Sequence, residues 1–249
     1  MEYSHLSKTV TIKVISEENR KGVFEIEGLY AGYGLTVGNA LRRTLLSSLP
    51  GAAITQIKIK NVAHEFSTLP GVKEDIVELA LNFKQVRFKM HSEEPKTLIL
   101  KSKGQTVVTA GDIEQDAETE IMNPELVLAN LTAKNAELDI EITVERGLGY
   151  SAVEQRKGEK LGVGVIAIDA HFSPVMLMNY TVEDMRVGDR TDYNRLRLDI
   201  ETDGTITPSA ALHKSANILK DHFEIVGAVP VQEFEVTVES AKKRSKSKK

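Results

Sequence analysis

Three groups of residues in this 249-residue sequence have types and spacings that suit known chemistry. The first is Gly147–Ala152, which fits the pattern G-x-G-x-x-A, with Asp169 where a dinucleotide fold places its ribose-binding acid. Only residues 146–160 separate the predicted strands on either side, too few for the helix that a parallel crossover requires. A dinucleotide-dependent enzyme stays open as a minor alternative, and a shift in heat denaturation with NAD or NADP would reveal it.

The second group pairs histidines with carboxylates, at His64-Glu65 and at Asp169-Ala170-His171. Such pairs can act as general acids and bases, but they are more often surface or interface contacts. None of the six histidines has metal-ligand spacing to another, and no nucleophile elbow or Walker loop is present. Cysteine is absent, which excludes thiolate nucleophiles and cysteine-ligated zinc. The sequence therefore predicts no catalytic residue, no metal and no cofactor.

The third group is the arginine pair Arg42 and Arg43, in a helix predicted over residues 36–49. Thr36 is its predicted cap, and the turn-forming pair Pro50-Gly51 follows its end. Adjacent helical side chains point about 100° apart, so at least one guanidinium faces away from the apolar stripe of this helix. Arginine pairs well across interfaces, which favours a partner contact, although a solvated arginine fits equally well. The stripe recurs every four residues: Val37, Leu41, Leu45 and Leu49.

A second helix with an apolar seam lies near the other end of the sequence. Thr207 is its predicted cap, Pro208 its first residue, and Gly227 its end. The seam has spacings of 4, 3, 4 and 3, as in a coiled coil, but it lasts only about two heptads, which indicates a compact helix pair. Its residues are Leu212, Ala216, Leu219, Phe223 and Val226.

Between these helices, alternating apolar and polar residues predict many strands and one further helix over 72–83. Because strands and helices do not alternate regularly, the sequence predicts an α+β fold and not a doubly wound parallel sheet. Two of the strands are expected to form a hairpin around Gly104. The predicted strands are Val10–Val14, Gly22–Ile26, 57–60, Val86–Met90, Thr97–Lys101, Thr106–Thr109, Leu138–Glu145, Val163–Ile168 and Leu196–Ile200.

Composition and charge indicate a globular protein with an acidic body and a basic tail. With 41% hydrophobic and 27% charged residues, the sequence is that of an ordinary globular protein, without a signal peptide or membrane span. Residues 242–249 hold six of the 32 basic residues, and the rest carries a formal charge of −10. Nucleic-acid binding through this tail is a second alternative; a steep salt dependence lost on deleting the tail would support it, although a solubilising tail is the simpler interpretation.

Several segments, in order along the chain, resemble the N-terminal region of the alpha subunit of bacterial DNA-directed RNA polymerase. They are Gly38–Ser48 (GNALRRTLLSS), His64–Lys84 (HEFSTLPGVKEDIVELALNFK), Arg146–Tyr150 (RGLGY), Ser173–Val175 (SPV), Tyr180–Leu196 (YTVEDMRVGDRTDYNRL) and Thr202–Pro208 (TDGTITP). The resemblance implies two domains: a discontinuous dimerisation domain with an antiparallel sheet and two helices, and an inserted, mostly β domain. By similarity the dimerisation domain comprises residues 1–50 and 174–235, the insert residues 51–173, and a basic flexible tail residues 236–249.

The resemblance also implies a function. Alpha forms a homodimer on which the beta and beta-prime subunits assemble, with omega and sigma in the holoenzyme, and it is a non-catalytic subunit of a nucleotidyltransferase in the bacterial cytoplasm, associated with the nucleoid. By similarity the beta contacts are Arg43, His64, Glu65, Ser67, Arg186 and Arg190. The beta-prime contacts are Glu78, Lys84 and Val175. The dimer interface is Leu41, Leu45, Leu212, Ala216, Leu219 and Phe223.

Two departures from the family pattern limit what is carried over. The family usually continues into a small helical domain that binds upstream promoter DNA, whereas this sequence ends in the Lys/Arg/Ser tail. DNA contact is therefore expected only indirectly or through the tail. Some members carry an acidic activator-contact loop that would lie between Tyr150 and Leu161, but no run of acids occurs there, so activator contact is not expected from it.

Overall fold

The computed structural model describes residues 8–156, 162 and 164–230. In this part the helices are α1 (Tyr33–Ser47), α2 (Ile76–Lys84) and α3 (Pro208–Gly227). The strands of the first half are β1 (Thr11–Glu17), β2 (Lys21–Leu29), β3 (Pro50–Ile59), β4 (Phe88–Met90), β5 (Lys96–Lys103), β6 (Thr106–Thr109), β7 (Ile113–Glu114) and β8 (Thr119–Ile121). Those of the second half are β9 (Val127–Leu131), β10 (Glu137–Leu148), β11 (Tyr150–Ser151), β12 (Val165–Ala167), β13 (Ala170–His171), β14 (Val175–Val187) and β15 (Arg190–Thr202).

The first lobe is a four-stranded antiparallel sheet in the order β1-β2-β15-β14, with α1 and α3 packed on one face. Alternation on β15 buries Leu196, Leu198 and Ile200 beneath the helices. Helix α1 lies close to the sheet because Gly34 and Gly38 have no side chain; a Cβ on Gly38 would lie 2.8 Å from the Tyr180 ring. The opposite face of the sheet carries ion pairs between strands, including Lys13–Glu27, Arg195–Glu27 and Arg197–Glu25.

The second lobe is built from the intervening part of the chain. Its main sheet has the order β7-β5-β10-β3-β4-β8, and β12 also pairs with β3. The long strand β10 pairs on both sides and buries Ile140, Ile142 and Val144 completely. Helix α2 closes the core with Ile76, Leu79 and Phe83. The lobes are bridged where the guanidinium of Arg20 donates to the carbonyl of Met122 at 2.8 Å.

The predicted α+β class and the two-domain arrangement with an inserted β-rich part are confirmed. The strand predicted at Leu138–Glu145 and the helix opened by Thr207-Pro208 are also confirmed, and the Thr207 hydroxyl accepts a hydrogen bond from the amide of Ala210. The exact domain bounds (1–50, 51–173 and 174–235) stay predictions, and the tail at 236–249 lies outside the described residues. No described helix is long and apolar enough to cross a bilayer.

Several details of the sequence-based prediction are wrong. The helix predicted over 72–83 begins only at Ile76, after its cap Asp75. The strands β5 and β6 do not form a hairpin around Gly104, because β5 pairs with β10 and β7 whereas β6 pairs with β9. The amide of Gly104 donates to the carbonyl of Ala136, which extends the register between β5 and β10 by one residue. Helix α1 begins at Tyr33 and not after Thr36. The 13-residue strand β14 was not predicted, because its exposed and buried residues alternate irregularly.

Candidate subunit-contact sites

Helix α1 is capped from a distant strand and not by its own sequence. The side-chain oxygen of Asn194 on β15 accepts hydrogen bonds from the amides of Gly32, at 2.9 Å, and Gly34, at 3.3 Å. The amide nitrogen of Asn194 donates to Asp184. Thr36, the predicted cap, lies inside the helix. The free amides at a helix start need acceptors, and here the sheet supplies one, which fixes α1 to β15.

The two adjacent arginines of α1 have different surroundings, as the helical geometry predicts. The guanidinium of Arg42 donates to the carbonyl of Met178 at 2.7 Å, so this arginine ties the helix to β14. The side chain of Arg43 is exposed, and no carboxylate of the described residues lies within ion-pair distance of it. Arg43 is therefore the arginine of the pair that is free to contact another molecule.

The six predicted dimer residues divide into a buried and a free set. Leu41, Leu45 and Leu212 are 5%, 0% and 7% exposed, and they pack in the core of their own lobe. Leu219 is half-buried, whereas Ala216 and Phe223 are exposed. The part of the predicted seam that is available to a partner is thus the C-terminal half of α3.

Further apolar side chains are exposed on the helix-covered side of the first sheet. On β1, Ile12 lies opposite Ile26 and Val14 lies opposite Phe24, and directly paired residues share a face of the sheet. Phe24 is buried under the helices, whereas Ile12 and Val14 are 60% and 59% exposed. Helix α3 contacts β1 only at the far end of the strand, where the amide of Ser209 donates to the carboxylate of Glu17 at 2.9 Å, so the apolar edge at Ile12 and Val14 stays exposed in the single chain.

The loop that follows β3 presents the residues of the predicted beta contact. His64, Glu65 and Phe66 are all exposed, and Phe66 is 80% exposed although it is a large apolar side chain. The hydroxyl of Ser67 donates to the carbonyl of His64 at 2.7 Å, which closes the loop. Ser67 therefore shapes the loop, while the other three side chains project to solvent. Sequence reasoning did not single out Phe66, although an aromatic residue in a polar loop is a recognisable signal.

The segment after this loop is anchored by a buried carboxylate. Glu74 is 6% exposed and accepts hydrogen bonds from the backbone amide and the side-chain amide of Asn130, at 2.7 and 2.6 Å. Burial raises the pKa of Glu74, but the hydrogen bonds from Asn130 outweigh it, so the pKa lies below its ordinary value. Asp75 caps α2 by accepting from the amide of Glu78. Sequence patterns gave no signal for Glu74, since its partner is distant in the chain.

The predicted beta-prime residues lie in different environments. Glu78 is exposed on α2. The ammonium of Lys84 lies 3.3 Å from a carboxylate oxygen of Asp169 and 5.5 Å from the centre of the Tyr150 ring. A backbone hydrogen bond from residue 153 and a side-chain hydrogen bond from Tyr150 hold the pKa of Asp169 below its usual value. Val175 is 1% exposed, so its side chain belongs to the core of the single chain.

The hairpin between β14 and β15 holds the last two predicted beta contacts. The guanidinium of Arg186 donates to the carbonyl of Gly188 at the turn. Arg190 forms two hydrogen bonds to the carboxylate of Asp192, and its guanidinium carbon lies 4.7 and 5.3 Å from the ring centres of Tyr30 and Tyr193. The hydrogen bond to Asp192 raises the pKa of Arg190. Arg190 is thus exposed but already engaged within its own chain.

The residues of the dinucleotide-like pattern are not arranged as in a nucleotide-binding fold. Gly147 and Gly149 lie at the end of β10 and in the tight turn to β11, not between a strand and a helix. A Cβ on Gly147 would lie 2.6 Å from the ring of Phe172, so this glycine is needed for packing. The carboxylate of Asp169 forms an ion pair with Lys84 and accepts a hydrogen bond from the amide of residue 153. Among the described residues, no three histidine, aspartate or glutamate side chains are grouped as metal ligands.

Comparison with known proteins adds independent findings. Residues 57–173 match the family model described as the RNA polymerase Rpb3/RpoA insert domain. The chain is 51% identical over 212 residues to the DNA-directed RNA polymerase subunit alpha of Symbiobacterium thermophilum, covering 85% of this chain and 67% of that protein. The subunits of Alkaliphilus oremlandii and Desulforamulus reducens are 46% and 48% identical, over 87% and 90% of this chain and 68% and 71% of theirs. The chain therefore belongs to the family of DNA-directed RNA polymerase alpha subunits.

Proposed function

We propose that two copies of this chain form a homodimer through their first lobes, and that the dimer is the platform on which the beta and beta-prime subunits assemble. Its contribution to transcription is then structural, without an active site of its own, in the bacterial cytoplasm at the nucleoid. In this proposal residues 1–50 and 174–235 form the dimerisation domain and residues 51–173 the insert. The observation that carries it is the uncovered apolar half of α3 in a chain of this family.

The dimer is supported by the amount of apolar side chain left exposed on the first lobe. Phe223 and Val226 on α3 are 66% and 67% exposed, and Ile12 and Val14 on β1 are uncovered on the same side of the sheet. Grouped exposed apolar side chains mark contact surfaces. A two-fold dimer covers such a surface with an identical one, so no second kind of interface is needed.

The proposed beta contact consists of exposed arginine and aromatic side chains, the types that often anchor protein interfaces. Arg43 is free of an ion pair within the described chain, and the loop at His64–Ser67 adds a charged pair and the exposed Phe66. Arginine and aromatic side chains are enriched where interface energy concentrates. Arg186 and Arg190 are proposed as secondary contacts, because both are partly engaged at their own hairpin.

The beta-prime contact is assigned to the side of the second lobe around α2. A groove of about 160 Å³ lies there, and its apolar wall includes Val77, Leu81 and Ile168. Val77 and Leu81 are 41% and 56% exposed, and the ion pair between Lys84 and Asp169 lies at the rim. An apolar centre with a charged rim is the usual composition of a protein interface. Val175 is buried in the core of the first lobe and does not line this groove, so its proposed contact would be made through its strand and not through its side chain.

The proposal is tested by measuring molar mass with light scattering, first for the chain alone and then with a purified beta subunit. We expect about twice the 27.5 kDa monomer, rising to a two-to-one complex with beta. Arg43→Ala should leave the dimer intact and weaken its binding to beta, while the matched surface change Lys134→Ala in the second lobe should alter neither. A monomer that does not bind beta would contradict the proposal, and loss of the dimer in Arg43→Ala would contradict the assignment of Arg43.

A further inference from the structure

A cleft of about 180 Å³ lies where the two lobes meet. Its walls come from the start of β3, from β4, from β10, and from the segment leading into α3. In the second lobe, Arg146 and Phe88 both pair with Ala52, which brings β10 and β4 to the two sides of β3. In the first lobe, the amide of Asp203 donates to the carbonyl of Pro174 at 3.0 Å and holds the facing wall in place.

The charged side chains that line this cleft, Lys89, Arg146 and Lys214, are all basic. Lys89 forms an ion pair with Glu120, whose carboxylate lies 3.5 Å from its ammonium group. Within the part of the chain that the structure describes, no carboxylate lies within ion-pair distance of Arg146 or Lys214. Elsewhere in the second lobe comparable strand residues are paired, as Lys58 is with Glu141 at 3.0 Å. Arg146 and Lys214 are thus basic groups without an ion-pair partner at a concave site, and such groups attract anions.

We propose that this cleft is a binding site for a small multivalent phosphate anion of the size of inorganic pyrophosphate. A guanidinium binds phosphate oxygens through two parallel hydrogen bonds, and a lysine ammonium supplies a point charge. The cleft, with a volume of about 180 Å³, has room for a ligand of two phosphoryl groups. A concave site of this volume between two lobes favours a small ligand over an acidic protein segment, which would need an extended surface.

An anion bound in this cleft would contact basic groups of both lobes. Arg146 belongs to β10 of the second lobe, and Lys214 belongs to α3 of the first lobe. An anion held by both would link the lobes by charge, in addition to the hydrogen bond from Arg20 to Met122. Since ligands stabilise the state that binds them, the anion would raise the resistance of the two-lobe arrangement to unfolding.

The test is calorimetric titration of the full chain with sodium pyrophosphate, with sulfate as a second probe, at constant ionic strength. We expect saturable binding of one pyrophosphate per chain and much weaker binding of sulfate. Arg146→Gln and Lys214→Gln should each weaken pyrophosphate binding by about tenfold, as expected for the loss of one charge-assisted hydrogen bond. The control Lys134→Gln changes an exposed lysine that does not line the cleft, and it should bind as the unaltered chain does.

Equal binding by the cleft variants and the control would overturn the proposal, because the anion would then lie elsewhere. So would equal affinity for sulfate, which indicates non-specific charge attraction. If the unaltered chain binds no pyrophosphate, and the cleft variants instead lose affinity for the beta subunit, the basic groups contact protein. A measurement that needs no variant is NMR titration: the amide signals of Gly51 and Thr205 should shift with pyrophosphate, and unchanged signals also refute the site.

Discussion

Truncating Phe223 on α3 should weaken the proposed dimer by a large and calculable factor. This side chain is 66% exposed in the single chain, and a buried aromatic side chain covers about 150–250 Å². Roughly 100–165 Å² therefore remains to be buried, which contributes about 2.5–4 kcal/mol per copy at about 25 cal/mol per Å². Phe223→Ala removes most of this in each of two copies. We expect the dimer dissociation constant to rise at least about a thousandfold.

The measurement is sedimentation equilibrium or mass photometry over nanomolar to micromolar chain concentrations. The entropic cost of association is common to both proteins and cancels in the ratio. The matched control is Ile225→Ala, which truncates a side chain that is 76% exposed but points about 160° away around the helix. If Ile225→Ala weakens the dimer as much as Phe223→Ala, the seam is not the interface. If neither variant changes the mass, the assignment of α3 to the dimer is refuted.

Three further outcomes follow from contacts within the chain. Asn194→Ala removes the acceptor that caps α1 and should lower the free energy of unfolding by about 2 kcal/mol in urea titrations; an unchanged midpoint would contradict this. Because the pKa of Glu74 is lowered by folding, its carboxylate stabilises the fold above its ordinary pKa near 4.5. The stability difference between the unaltered chain and Glu74→Gln should therefore shrink as the pH falls below about 4; a difference independent of pH would contradict the assignment. Arg42→Ala should lower stability by about 1–2 kcal/mol, since it breaks a hydrogen bond from a charged donor, whereas Arg43→Ala should change it by less than about 0.5 kcal/mol; equal losses would contradict the division of roles.

Local sequence patterns were sufficient where the structure depends on neighbours within a few residues. The alternation from Leu138 to Glu145 predicted the centre of β10, and Thr207-Pro208 predicted the start of α3. Helical geometry alone indicated that Arg42 and Arg43 cannot share surroundings. The order of the matching segments along the chain indicated the family, and the relatives named above support it.

Tertiary structure decided what depends on residues far apart in the chain. The cap of α1 is Asn194, which lies 162 positions beyond Gly32 in the chain. The residues around Thr36 therefore give no indication that Asn194, and not Thr36, caps the helix. The strands on either side of Gly104 separate because β10 offers β5 a long apolar partner.

Burial, too, was decided by distant contacts. The apolar stripe of α1 and the seam of α3 look alike in sequence, yet Leu45 is fully buried and Phe223 is exposed. Periodicity reports which face of an element is apolar, but only the packing of the whole chain decides whether that face is already covered by its own sheet or left for a partner.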